Sequence, residues 1–136
     1  MQGQFQQCII LSASVEGETK ANNEWRNRLL QDDLEAQGLD HIEVIGSYKG
    51  VVEAAFLVLT PDKVNREDVQ ELAKIYHQES VLHQNSVGEC FLRFSYKDTA
   101  EHLGKLEQVS QAEARAGEAF TYLPQSDTYW VAKASA

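Results

Sequence analysis

Residues 41–60 read HIEVIGSYKGVVEAAFLVLT. Two runs rich in apolar and β-branched residues flank a short link containing glycine, so the stretch reads as two strands joined by a turn. The first strand, His41–Ser47, alternates and has one face for the core. The second, Glu53–Thr60, is almost unbroken apolar sequence, as expected of a strand buried on both faces in the middle of a sheet, and Pro61 ends it. Upstream, Phe5–Ser14 (FQQCIILSAS) reads as the first strand of the chain. A polar loop, VEGETK, leads from it into Asn22–Gln37, where Trp25, Leu29, Leu30 and Leu34 share one helical face and Gly38 is a stop. Downstream, Asn65 is placed to cap a helix over Arg66–His77, with Val69, Leu72, Ala73 and Tyr76 at helical spacing. Ser80–Gln84 and Glu89–Ser95, joined by an NSVG turn, are two more strands.

The order through residue 84 is thus β-α-β-β-α-β. That order predicts an α+β chain with a ferredoxin-like antiparallel sheet and two helices on one of its faces. Lys97–Gly117, polar and rich in Ala, Glu and Gln, reads either as partly helical or as a long loop. Ala119–Leu123 and Tyr129–Lys133, around PQSDT, read as a closing hairpin that adds C-terminal strands to the sheet. No repeat or linker divides the chain, so residues 1–136 are expected to form one domain.

A chain of 136 residues with 43% hydrophobic and 24% charged residues can bury a core without disulfides. Its polar first residues carry no secretion signal and no apolar run is long enough to span a bilayer, so no membrane contact and a cytoplasmic location are expected. Cys8 and Cys90 sit in apolar strands far apart in sequence and are expected to be free, buried thiols. The net charge of −9 and the absence of a basic stretch argue against nucleic acid as a partner, while acidity suits a cationic ligand or plain solubility.

Chemical motifs are few. His41, His77, His83 and His102 show no metal-ligand spacing, so no metal and no cofactor are expected. There is no phosphate-binding glycine loop and no nucleophile elbow, and Ser12 and Ser14 have no recognisable triad partners. The informative segment is Gly46-Ser47-Tyr48-Lys49-Gly50-Val51-Val52-Glu53. It sets an aromatic hydroxyl and a lysine between two glycines and puts a carboxylate at the start of the next strand. By its local chemistry alone it reads as a hairpin turn with exposed Tyr and Lys.

This segment resembles the Gly-small-Tyr-basic motif, followed by an acidic residue before an apolar strand, of the bacteriophage S-adenosylmethionine lyases, formerly called hydrolases. IILSAS (residues 9–14) is similar to that family's apolar strand ending in Ser-Ala, and YHQESVL (residues 76–82) to its aromatic-x-Gln-acidic-small-Val-Leu stretch. The resemblance covers about residues 8–95 in order; the tail beyond matches no pattern. It implies a homotrimer shaped like the PII signalling proteins, with S-adenosylmethionine held between subunits and cleaved to methylthioadenosine and homoserine lactone. A phage would thereby deplete its host's methyl donor and weaken restriction. It implies Glu53 and Tyr48 as catalytic residues, and Ser12, Ser47, Lys49, Gly50, Gln78 and Gln84 (or a neighbour of the last) as substrate contacts. The chemistry needs no metal, cofactor or protein nucleophile, because the substrate's own carboxylate attacks and the enzyme holds the folded-back conformer. Two other readings share the same sequence. One is a PII-like or ferredoxin-like regulator that binds a nucleotide and leaves it intact. The other is an acidic phage decoy for a host factor, against which the interspersed 12 basic residues count.

Overall fold

Strand β1, Cys8–Leu11, sends Ile9 and Leu11 to one side of the sheet and Cys8 and Ile10 to the other. The computed structural model describes residues 7–134, so Phe5 and Gln6 of the expected first strand lie outside the described residues. Helix α1, Lys20–Ala36, starts at Thr19, whose hydroxyl accepts from the Asn22 amide at 3.1 Å. It buries Asn27, Leu30 and Leu34. Trp25 and Leu29, expected on that face, are 56% and 37% exposed, because the buried stripe runs through the polar Asn27 instead. Strands β2 (His41–Tyr48) and β3 (Val51–Leu59) form the expected hairpin. Helix α2, Lys63–Ile75, begins one turn earlier than the sequence suggests: Asp62, not Asn65, is the cap, its carboxylate accepting from the Asn65 amide at 2.9 Å. Then come β4 (Ser80–Gln84), β5 (Glu89–Phe94), β6 (Ala100–Val109), the short α3 (Gln111–Ala116), β7 (Ala119–Leu123) and β8 (Thr128–Lys133).

The eight strands close into an antiparallel barrel in the order β1-β3-β2-β7-β8-β6-β5-β4, with β4 pairing back to β1. The expected open ferredoxin-like sheet is therefore wrong, and the analogy to a PII-like shape falls with it. The error lies in Lys97–Gly117. Six of its 21 residues, Gln111–Ala116, are helical as α3, but ten form the strand β6, which pairs with β5 on one side and β8 on the other and so carries the sheet round to its own beginning. Its apolar residues, Leu103, Leu106 and Val109, are three apart and mimic a helix. Between Leu103 and Leu106 the alternation of a strand is broken because the pairing with β5 slips at Cys90/Phe91, a bulge of the kind that bends barrel strands. Gly104 sits at this slip with φ +104°, and a Cβ there would fall 1.9 Å from the backbone carbonyl oxygen of Lys133. Only glycine lets β6 come this close to the end of β8.

The closed sheet splits the core in two. Ile9, Phe56 and Val58 face outward under α1 and α2, against Leu30, Leu34, Val69 and Leu72. Cys8, Ala55 and Leu57 face inward and meet Val44, Leu123 and Trp130 inside the barrel. Both faces of β3 are thus buried, which is why its sequence is nearly all apolar. Each such side chain removed from water is worth about 1.5–3 kcal/mol. Cys8 and Cys90 are free and buried, and burial pushes their thiols up to about 12 and about 11, leaving them protonated and unreactive.

Candidate functional site

The β2–β3 turn places Lys49 at φ +50° and Gly50 at φ +82°. A two-residue link with both φ values positive follows the twist of a hairpin, and glycine takes the second position without strain. The tip is tied to the start of β7: the Lys49 amide donates to the Glu118 carbonyl at 2.7 Å, and Lys49 Nζ lies 3.5 Å from the Glu118 carboxylate. The same ammonium stands 5.2 Å from the centre of the Tyr48 ring.

Register decides what faces the barrel interior. Val44 pairs with Ala55, Gly46 with Glu53 and Tyr48 with Val51. Val44 and Ala55 point inside, so by the two-residue period Gly46, Glu53, Tyr48 and Val51 lie on the same face. Gly46 has no side chain, and the nearest atom to a Cβ built there would be the Glu53 carbonyl oxygen at 4.0 Å, so the space beside Glu53 stays open. The row continues across the sheet: Gly46 pairs with Thr121, and Thr121 with the buried Trp130. Together these residues line a cavity of about 1900 Å³ at one mouth of the barrel, with Leu82, Leu92 and Leu106 on its apolar side and Glu101 at its edge.

Glu53 is half-buried in this cavity and has no hydrogen-bond or ion-pair partner among the described residues. Burial raises its pKa above the ordinary carboxylate value. A partly dehydrated, unpartnered carboxylate gains more from a cation than a solvated one does. Tyr48 is 57% exposed on the rim of this cavity. Of the other residues singled out in the sequence, Ser47 and Lys49 also border the cavity, while Gly50 shapes the turn and does not line it.

Ser12 is 3% exposed. Its hydroxyl donates to the Ala54 carbonyl at 2.7 Å and accepts from the Ser14 amide at 3.0 Å. Asn27 completes this bracket, accepting from the Ala13 amide at 2.8 Å and donating to Ser14 Oγ at 2.9 Å. Gln78 donates to the Ser14 carbonyl at 3.0 Å. Ser12 and Gln78 therefore hold the loop after β1, which supplies Ser14 and Val15 to the mouth, without lining the cavity themselves. Gln84 lies deeper in the barrel, in a row between Cys8 and Cys90, and accepts from the Cys90 thiol at 4.0 Å. The site residues that sequence reasoning missed are Thr121 and Trp130. They lie about seventy and about eighty positions beyond Tyr48, and only the closure of the barrel, unreadable in the chain, brings Thr121 opposite Gly46 and Trp130 beside it.

Among the described residues no group of three or more His, Cys, Asp or Glu side chains could hold a metal, and no helix is long and apolar enough to cross a membrane. The family model described as the S-adenosylmethionine lyase family matches residues 9–133, from the second residue of β1 to the last of β8. The chain belongs to the S-adenosylmethionine lyase family. A search of curated proteins finds no match. As a member of that family the chain is an enzyme, and its substrate, S-adenosylmethionine, is a sulfonium cation that also carries an ammonium and a carboxylate. The acidic, half-apolar mouth of the barrel has the chemistry to receive such a molecule.

Proposed function

We propose that this lyase converts S-adenosylmethionine to methylthioadenosine and homoserine lactone at the mouth of the barrel. A carboxylate oxygen of the substrate attacks its own γ-carbon, and the C–S bond breaks with its electron pair going to sulfur. The sulfonium becomes a neutral thioether, the lactone ring closes, and no proton moves. The nucleophile arrives with the substrate, so the protein's task is to hold it folded back on itself. Opposite charges cancel along this path, so a partly dry cavity favours the transition state over the charged ground state.

The observation that carries this reading is Glu53, a half-buried carboxylate without a partner among the described residues, beside the open space over Gly46. We assign it to the substrate ammonium. A carboxylate against the sulfur would oppose loss of the sulfonium charge; one against the ammonium anchors the chain end and leaves the substrate carboxylate free to attack. Tyr48 sits on the rim of the same face and is assigned to a hydrogen bond that positions the reacting end. Ser47 and Lys49 border the cavity as further contacts. The roles proposed for Ser12, Gln78 and Gly50 are those of supports: they fix the β1–α1 loop and the hairpin tip between which the substrate enters.

The enzyme is further proposed to work as a homotrimer in the cytoplasm of a phage-infected cell, lowering the methyl donor available for restriction-modification. Exposed apolar residues on the hairpin, Val51 at 65% and Val52 at 62%, support a neighbouring subunit at the mouth. Incubating the protein with S-adenosylmethionine and separating the products by chromatography and mass spectrometry tests the proposal. Methylthioadenosine and homoserine lactone in equal amounts are expected; intact substrate, or adenosine-containing products other than methylthioadenosine, would refute it.

A further inference from the structure

A second cavity, of about 750 Å³, opens on the outer surface between α2 and the β5–β6 connection. That volume is in the range of small-molecule sites. Its lining is unlike the rest of this chain. Arg66 and Lys74 reach it from α2, Arg93 from β5, and Lys97 from the loop that follows; Asp98 is the one acidic residue among them. Four of the chain's 12 basic residues thus converge on one concavity in a protein of net charge −9. None of the four is in an ion pair among the described residues. With 21 acidic residues in the chain, this gathering of unpaired cations is not forced by composition, and their mutual repulsion disfavours it.

The floor beside the cavity is built rather than accidental. His83 on β4 is 2% exposed, and its Nδ1 accepts from Arg93 Nε at 2.8 Å. That bond fixes the guanidinium, whose carbon lies 5.5 Å from the centre of the Phe91 ring. Because Nδ1 accepts, the proton of neutral His83 sits on Nε2, which is buried without a partner. Burial, then the positive charges of Arg93 and Arg66, lower the His83 pKa to about 4 and keep this imidazole neutral. The wall is held as well: Tyr96 Oη donates to the Lys74 carbonyl at 3.2 Å, and the Phe94 amide to the Thr99 carbonyl at 3.2 Å. Two arginines, Arg93 fixed by His83 and Arg66 on the facing helix, line one cavity with two exposed lysines, and this set matches the several oxygens of a phosphate group, which arginine meets in bidentate fashion.

We propose that this cavity is a binding site for a small phosphate-bearing anion, a pyrophosphate or the polyphosphate of a nucleotide, separate from the barrel mouth where S-adenosylmethionine is cleaved. The test is isothermal titration of the full chain with sodium pyrophosphate at fixed ionic strength, with ATP, sulfate and a short single-stranded oligonucleotide as parallel arms. Pyrophosphate is expected to bind with one site per chain. Arg66→Ala and Arg93→Ala should each weaken it by on the order of tenfold or more, the worth of one charge-assisted hydrogen bond. Lys97→Ala, which removes a rim charge and leaves His83 and Arg93 in place, should weaken it several-fold while the melting temperature stays at the parent value. ATP binding more tightly than pyrophosphate identifies the source as a nucleotide; equal affinity identifies free pyrophosphate. The proposal is overturned if pyrophosphate does not bind, if sulfate binds as tightly, if the variants bind like the parent, or if the oligonucleotide alone binds.

Discussion

Replacing Gly104 with alanine probes the closure of the barrel. At φ +104° an L side chain is strained, by about 1–2 kcal/mol if the left-handed region is the guide. The new Cβ would also lie 1.9 Å from the Lys133 carbonyl oxygen and 2.4 Å from its carbon, where ordinary contact begins near 3.4 Å. Both atoms are backbone, so no side chain can turn away, and β8 must retreat from β6 at the Lys105–Lys133 pair. Overpacking of this kind costs a further 1–3 kcal/mol or so, for a total of roughly 2–5 kcal/mol. For a chain of this size that is roughly 8–20 °C in melting temperature, at about 4 °C per kcal/mol. Gly88→Ala is the control: its φ is +85° but nothing lies within 4 Å of the new Cβ, so it should cost only the conformational part, about 1–2 kcal/mol. Thermal denaturation followed by circular dichroism measures both. If Gly104→Ala melts no lower than Gly88→Ala, β6 does not approach β8 as described, and the barrel is not closed there.

Further outcomes follow from the site. Glu53→Gln should lower turnover by at least about tenfold, about 1.4 kcal/mol of transition-state stabilisation, in a steady-state assay of methylthioadenosine release. The same variant should be more heat-stable than the parent at neutral pH. Burial raises the Glu53 pKa in the folded state, so the protonated form suits the fold and stability is lost as pH rises through that raised value. The advantage of glutamine should accordingly shrink as pH falls below the ordinary carboxylate pKa, and a difference in Tm that is independent of pH would contradict the burial of this group. Asn27→Ala, which strips the Ala13 amide and Ser14 hydroxyl of their partner, should destabilise by about 1–3 kcal/mol in chemical denaturation and slow turnover through a loosened loop. Light scattering should give about three times the chain mass of 15.3 kDa; a monomer with full activity would remove the neighbouring subunit from the site.

The parts of this molecule that were legible in the chain are those governed by local pattern. The apolar run of β3, the Gly-containing hairpin and the stripe of α2 each follow from a few consecutive residues, and Glu53 and Tyr48 share one face because they lie on that hairpin. What was hidden depends on contacts between distant segments. The path of β6 rests on a bulge against β5 and on one glycine against the end of β8, and neither announces a strand when Leu103, Leu106 and Val109 are three apart. Asn27 took the buried place expected of Trp25 because a polar bracket for Ser12 and Ser14 was needed there, and hydropathy cannot foresee that requirement. Arg66, Lys74, Arg93 and Lys97 look scattered in a chain of net charge −9, and only the packing of α2 over β4, the neighbour of β5, gathers them.

The central claim is that the substrate's own carboxylate, not water, breaks the C–S bond. Running the reaction in oxygen-18 water and quenching early tests it most directly. The lactone should appear first and carry no label, and homoserine formed later should carry the label in its carboxyl group, where water opens the ring. Homoserine that appears ahead of the lactone with oxygen-18 in its hydroxyl group would mean that water attacked the γ-carbon, and would contradict the account.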